Sequence, residues 1–249
     1  MMGETLQRSG QRDQPARTDM QTTVVLSGAS GGIGVRVIPL LLQDHAAIGL
    51  YHTRRPELPP SERLSLVQLD ITDAEDVKAF VATWEHALER VILVHGAVES
   101  IDGLAAQYRE EDWDRTINVN LKGAFLLTKA LLPLMIHARW GRIIHLSSFV
   151  GTNGVTGTVG YAASKTGLLG MSRVLAKEYA RFDITSNVLQ LGYFDAGLID
   201  GLSAQHQREL LNRIPNHQLG RVENIAYAIK FLLHADYVNG AVIPIDGGL

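Results

Sequence analysis

A strand, a glycine turn and a helix run together near the start of the chain, and this unit constrains the fold more than any other feature. Residues 22–26, Thr-Thr-Val-Val-Leu, form a short, apolar and β-branched run that suits a buried parallel strand. The run passes directly into Ser27-Gly-Ala-Ser-Gly-Gly-Ile-Gly34, after which Val35, Ile38, Leu41 and Leu42 recur at helical spacing. A parallel strand needs a crossover helix to reach its neighbour, so the unit commits the chain to an α/β sheet. Glycines let the backbone approach a pyrophosphate, and the helix N-terminus offers it free N–H groups and the positive end of a dipole. This is the context of a dinucleotide-binding loop.

The rest of the chain continues the alternation. Strands are predicted at 46–51, 64–69, 90–94, 142–146, 185–189 and 241–245. Helices are predicted at 74–88, 112–134, 161–181 and 223–233, with Thr72 or Asp73 as the N-cap of the first of these. The pattern describes one open, mostly parallel α/β sheet forming a single domain over residues 21–249. The irregular stretch 193–215, helical around 204–211 and carrying Leu198, Ile199 and Leu202, is a candidate substrate lid. Residues 1–20 are polar, contain Arg8, Arg12 and Arg17, lack the apolar core of a signal peptide, and read as a disordered tail. A formal net charge of −3 gives no sign of nucleic-acid binding, and the absence of cysteine excludes disulfides and thiolate chemistry. No histidine pair reads as a metal site, and no apolar run reaches the roughly 18 residues of a membrane span. A cytoplasmic protein with no membrane partner is expected.

The chemistry concentrates between Ser147 and Lys165. Tyr161 and Lys165 are four residues apart, so on a helix they share a face. A phenol titrates near pH 10, and an ammonium beside it is expected to favour the phenolate and bring its pKa toward neutrality. Ser148, on the approach to that helix, is placed to hydrogen-bond the same substrate oxygen. Together they form a proton-transfer unit for a carbonyl or an alcohol. After the second strand, Arg54 and Arg55 stand where an acidic residue would grip a ribose 2′-hydroxyl, and an arginine there accommodates a 2′-phosphate. That favours NADP(H) over NAD(H); the alternative is a solvated basic loop. Asp70, at the end of the third strand, either hydrogen-bonds an adenine amino group or caps its own turn. His95 reads as a structural histidine. Asn118 and Asn120 lie inside a predicted helix at a cost in propensity, so at least one is expected to have a tertiary role.

Taken in order, the loop Ser27–Gly34, Asp70, Asn-Val-Asn120, Ser148, Tyr161-x-x-x-Lys165 and Asp246-Gly-Gly248 resemble the short-chain dehydrogenase/reductase family over residues 22–249. Within it the chain is most similar to the group containing 3-oxoacyl-acyl-carrier-protein reductases. The resemblance implies a Rossmann-type doubly wound parallel β-sheet flanked by helices. It makes Tyr161 the proton donor in ketone reduction, with Lys165 lowering its pKa and binding the nicotinamide ribose. Ser148 would hold the substrate oxygen, and Asn120 would keep a relay water behind Lys165. Gly28, Ser30, Gly32, Ile33 and Gly34 would line the phosphates and ribose, with Asp70 and Ile71 at the adenine. Thr53, Arg54, Arg55, Gly96, Ala97, Gly192 and Phe194 complete the expected cofactor set, which includes no metal.

Four departures stand out. Ser27 replaces the usual Thr, and His95-Gly-Ala-Val98 replaces Asn-Asn-Ala-Gly. Leu191-Gly192 replaces Pro-Gly, and Ala196 stands where a Thr normally contacts the carboxamide. The last removes a hydrogen bond worth about 0.5–1.5 kcal/mol net. The implied substrate is a small or carrier-bound carbonyl, such as a 3-oxoacyl thioester. The alternatives are a dehydrogenase of small hydrophobic or cyclic alcohols and a non-catalytic dinucleotide sensor. A homo-oligomer, tetramer or dimer, built on helices 112–134 and 161–181 is also implied.

Overall fold

The computed structural model describes residues 21–197 and 204–249; the tail 1–20 and the lid positions Leu198, Ile199 and Leu202 lie outside the described residues. Seven strands pair in parallel: β1 (Thr22–Ser27), β2 (Ala46–Tyr51), β3 (Leu64–Gln68), β4 (Arg90–His95), β5 (Gly141–Ser148), β6 (Ile184–Leu191) and β7 (Val242–Ile245). Their order is β3-β2-β1-β4-β5-β6-β7. The sheet therefore grows outward in both directions from β1 and β4. The crevice above the carboxyl ends of those two strands is the switch point at which ligands bind in such sheets.

Alternation along the strands builds two apolar layers. On one face Val24, Leu26, Ile92, Val94, Ile144 and Leu146 pack on helices α1 (Gly32–Leu41) and α8 (Val222–His234), through residues such as Ile38, Leu41, Ile225 and Ile229. On the other face Val25, Val91, Leu93 and Ile143 meet α2 (Ala74–Trp84), α4 (Gly123–Ala138) and α6 (Val159–Tyr179). Both faces of β1, β4 and β5 are covered, which explains why their sequences are apolar runs rather than alternating ones. The fold is a Rossmann-type, doubly wound α/β sheet. Asp73 caps α2, its carboxylate accepting from the N–H groups of Glu75 and Asp76. Two short helices, α3 (Glu110–Ile117) and α5 (Val150–Asn153), and α7 (Ala204–Arg213), in the stretch expected to form a lid, complete the α-helices among the described residues.

The helix expected over 112–134 is interrupted. Its axis runs from Glu110 to Ala138, but residues Asn118–Lys122 form a π turn in which the Gly123 N–H reaches the Asn118 carbonyl. Such a turn inserts one residue, re-aims the side chains around it and is frequent at functional sites. Here it turns the Asn120 carboxamide inward, and Asn120 is almost fully buried. By length and mean hydropathy, 1.4, the segment Glu110–Ala138 matches a membrane span. Its apolar side is used instead on the sheet, where Leu127, Leu131 and Met135 are fully buried. Trp113, Phe125 and Val174 remain exposed on the helices expected to carry subunit contacts.

Two histidines stand side by side in the central strands. His95 pairs in register with His145, and their rings stack with centroids 4.9 Å apart and planes 14° from parallel. His95 Nε2 lies 2.8 Å from Thr128 Oγ1, and His145 Nε2 lies 3.2 Å from Ser186 Oγ. His95 is thus held within the sheet, as expected of a structural residue. Burial disfavours the imidazolium in both: it pushes His145 down to about 3 and His95 well below its usual value. The unfolded chain takes up protons on these histidines below about pH 6.5, whereas the folded chain resists until far lower, so the folded state loses stability as pH falls through that window. Each histidine contributes a slope of up to about 1.4 kcal/mol per pH unit. Urea unfolding at about pH 7.5 and about pH 5 should show this loss, and His145→Asn should make it shallower; an unchanged slope in the variant would contradict the assignment.

Candidate active site

The glycine turn after β1 is shaped by close backbone approach. Gly28 has φ +80°, and a Cβ on it would lie 2.5 Å from the Gly96 oxygen and 2.6 Å from the Ala97 nitrogen. A Cβ on Gly34 would collide with the Gly28 carbonyl. No side chain fits at either place, so the loop lies flat against the end of β4. Ser27 Oγ accepts from the Gly96 and Ala97 N–H groups, each at 3.2 Å, so the hydroxyl kept by serine still ties β1 to β4. α1 begins after Gly31, with no side-chain cap and no acidic residue in its first turn. Its N-terminal N–H groups and dipole therefore face the switch-point crevice without a competing carboxylate, an arrangement that fits a phosphate.

At the adenosine end, Arg54 folds back over the loop, Nη2 donating to the Ser30 carbonyl at 3.1 Å. Thr53 beside it is exposed. Arg55 points elsewhere, lining a neighbouring groove with Leu58, Leu64 and Leu66. Asp70 caps its own turn, Oδ1 accepting from the Thr72 N–H at 2.8 Å and the Thr72 hydroxyl at 2.7 Å, while Oδ2 lies 3.7 Å from His52 Nε2. Burial pushes the Asp70 carboxyl up, and the Thr72 hydrogen bonds with His52 outweigh this and leave it lowered. Ile71 is buried, and its side chain fills the space that a Cβ on Gly123 would need.

The proton-transfer residues converge at the carboxyl end of β5. Tyr161 and Lys165 share one face of α6, with Lys165 Nζ 5.7 Å from the centre of the tyrosine ring, and both are buried. Ser148, the last residue of β5, accepts from the Val150 N–H at 3.2 Å, and its hydroxyl stands near enough to the Tyr161 phenol to favour the phenolate. β5 grips Lys165 at both ends: Ser147 Oγ donates to its carbonyl at 2.9 Å, and its ammonium donates to the Leu146 carbonyl at 2.8 Å. Leu146 lies one residue beyond the last β4–β5 pair, His95–His145.

The electrostatics differ from the expectation in one respect. The phenol is pushed up rather than down, because burial outweighs the effect of the Ser148 hydroxyl. Burial also lowers Lys165, to about 8. Both groups are desolvated together, and desolvation favours the neutral form of each.

Asn120 is occupied by protein groups. Its Oδ1 accepts from the Glu99 N–H at 2.7 Å, and its Nδ2 donates to the Glu99 carbonyl at 2.8 Å and to Ser164 Oγ at 3.0 Å. It therefore fastens the loop after β4 to α6, one residue before Lys165. Around Tyr161, Phe149, Val150, Val155, Tyr193 and Leu249 form an apolar cluster, with Phe149 edge-on to Tyr193 at 5.0 Å. Gly192, at the end of β6, is packed so closely on Asp246 that a Cβ would lie 2.6 Å from its Cα. Phe194 is buried against Gly220, in the segment leading to the lid.

The structure thus brings Ser148, Tyr161, Lys165 and Asn120 into one cluster beside the loop Gly28–Gly34, and sets Arg54 and Asp70 at its far side. Two contributors had no individual signal in the sequence. Ser164 was visible only as part of Tyr-Ala-Ala-Ser-Lys, and Arg36 on α1 binds Asp195, 159 residues away.

Comparison with known proteins identifies the family. A family model described as short chain dehydrogenase matches residues 22–207. The chain is 35% identical over 233 residues to nodulation protein G of Rhizobium sp. (strain N33), spanning 90% of this chain and 95% of that protein. It is 35% identical over 236 residues to a 3-oxoacyl-[acyl-carrier-protein] reductase of Thermotoga maritima, spanning 90% and 96%. With the corresponding reductase of Mycobacterium tuberculosis (strain ATCC 25618 / H37Rv) it shares 34% over 230 residues, spanning 91% and 92%.

Proposed function

The chain belongs to the short-chain dehydrogenase family of nicotinamide-dinucleotide oxidoreductases, and from that premise we propose that it is an NADP(H)-dependent ketoreductase acting on a 3-oxoacyl thioester, free or carrier-bound. The observation that carries this reading is the buried cluster in which Ser148 adjoins the Tyr161 phenol and Lys165 lies on the same helix face. The substrate class rests on the activity for which the 3-oxoacyl-[acyl-carrier-protein] reductases that the chain resembles along most of its length are named.

NADP(H), when bound, supplies the hydride that the carbonyl carbon receives. Tyr161 gives its phenolic proton to the carbonyl oxygen, and Ser148 Oγ–H holds that oxygen in place. Carbon gains a hydride, oxygen gains a proton, and the product is the secondary alcohol. A phenol whose pKa is raised by burial keeps its proton at neutral pH, which suits an acid poised to donate. The phenolate left behind faces the Lys165 ammonium. A positive charge on the same helix face favours the phenolate once the proton has left and so opposes the cost of burial. Arg54, held at the glycine loop by the Ser30 carbonyl, is the charge placed to meet a 2′-phosphate, with Arg55 adjacent in sequence.

The apolar cluster of Phe149, Val150, Tyr193 and Leu249 around Tyr161 favours a second reading on the same chemistry, the interconversion of a small hydrophobic or cyclic alcohol and its ketone. It changes the substrate and leaves the residue roles intact.

Tyr161→Phe should lower kcat at least about a hundredfold and leave the dissociation constant for NADPH nearly unchanged. Substantial turnover in that variant would remove the proton-donor assignment. Arg54→Ala with Arg55→Ala should raise KM for NADPH at least about tenfold and change KM for NADH much less, as loss of charge-assisted phosphate contacts requires. Equal effects on the two cofactors would refute the 2′-phosphate role.

A further inference from the structure

The segment from Tyr193 to Gly197 borders the site along its length. At one end Tyr193 belongs to the cluster around Tyr161. At the other, Gly197, with φ +89°, lies over Ile33 of the glycine loop, which a Cβ on it would meet at 3.6 Å. A dinucleotide with its pyrophosphate on the glycine loop and its reactive ring at Tyr161 must run its nicotinamide half past this backbone. Position 196 is alanine, so it offers no side-chain hydroxyl there.

The backbone is held from two sides. Gly220 exchanges two hydrogen bonds with it, its N–H donating to the Tyr193 carbonyl at 2.8 Å and its carbonyl accepting from the Asp195 N–H at 2.9 Å. From the opposite side comes Arg36, one turn into α1. Its Nη1 donates to the Asp195 main-chain carbonyl at 2.9 Å and lies 3.0 Å from Oδ1, and its Nη2 donates to Oδ2 at 3.1 Å. Glu223 at the start of α8 stands 3.9 Å from the same guanidinium. An isolated surface ion pair does little. This one is a planar fork closed on a carboxylate and a main-chain carbonyl at once, with a second carboxylate behind it, and its partner is a single residue of the cofactor-facing backbone.

We propose that Arg36 is a positioning residue for the nicotinamide half of the dinucleotide. It ties the Asp195–Gly197 backbone to the helix that binds the pyrophosphate and so fixes the main-chain groups that must orient the ring in the absence of a hydroxyl at position 196. The proposal rests on the dinucleotide reading above. It separates the two halves of the cofactor: Arg54 and Asp70, the residues read as meeting the adenosine half, contact Ser30, Thr72 and His52 and not this segment.

The test is equilibrium binding, by calorimetry on the full chain, of NADPH and of adenosine 2′,5′-bisphosphate, which lacks the nicotinamide half. Arg36→Gln is expected to weaken NADPH about tenfold, the scale of losing a bidentate charge-assisted contact, and to leave adenosine 2′,5′-bisphosphate within about twofold. Asp195→Asn should reproduce this pattern, and the double variant should be no worse than either single one. Arg36→Lys keeps the charge and loses the fork, so it should behave like Arg36→Gln; it also serves if the glutamine variant does not fold. Unchanged NADPH affinity in these variants, or equal weakening of both ligands, would overturn the positioning role. A folded wild-type chain that binds adenosine 2′,5′-bisphosphate but not NADPH, or neither, would overturn the cofactor reading itself, an outcome distinct from any result on Arg36.

Discussion

The grip of β5 on Lys165 is the contact on which the site depends. A lysine buried under a sheet edge is costly unless its ammonium finds acceptors. Here the Leu146 carbonyl accepts a hydrogen bond from it, and the Ser147 hydroxyl donates to the Lys165 main-chain carbonyl. Because both contacts come from the last turns of one strand, they fix the height of α6 over the sheet. Tyr161, one helical turn earlier, then falls beside Ser148. Asn120 secures the same helix from the other side through Ser164, and the π turn in the helix after α3 is what brings its carboxamide inward. The cluster of Ser148, Tyr161 and Lys165 follows from helix-to-strand docking.

The second constraint is the contact between the turn after β1 and the end of β4. Gly28 and Gly34 allow the backbone to pass where a Cβ would collide, and Ser27 ties the two strand ends through the Gly96 and Ala97 N–H groups. Strand order places this contact at the centre of the sheet, one strand from β5. The glycine loop and the strand end carrying Ser148 are neighbours because β1, β4 and β5 are neighbours. The same adjacency puts His95 and His145 face to face within the sheet, where burial favours the neutral form of both imidazoles.

Much of this was readable from residue order, for identifiable reasons. Strands buried on both faces appear as apolar runs, so β1, β4 and β5 were recognisable within a residue or two. The glycines announce backbone conformations that other residues avoid. The spacing of Tyr161 and Lys165 reports a shared helix face once the helix is granted. What local pattern does not carry is long-range pairing and burial. Nothing near Arg36 indicates that its partner is Asp195, and nothing near His145 indicates that it stacks on His95. The π turn at Asn118–Lys122 left only a hint, in the cost of two asparagines within a helix. The direction of the Tyr161 shift was misjudged because a neighbouring ammonium is visible in sequence and shared desolvation is not.

The central claim is that Tyr161, Lys165 and Ser148 form a working carbonyl-reducing site fed by NADP(H). Initial rates of NADPH and NADH consumption against a set of ketones that includes an acetoacetyl thioester test it most directly. The account predicts carbonyl-dependent oxidation of NADPH, faster than that of NADH, with alcohol formed in equal amount. A chain that binds NADPH tightly and turns over none of these carbonyls would contradict it.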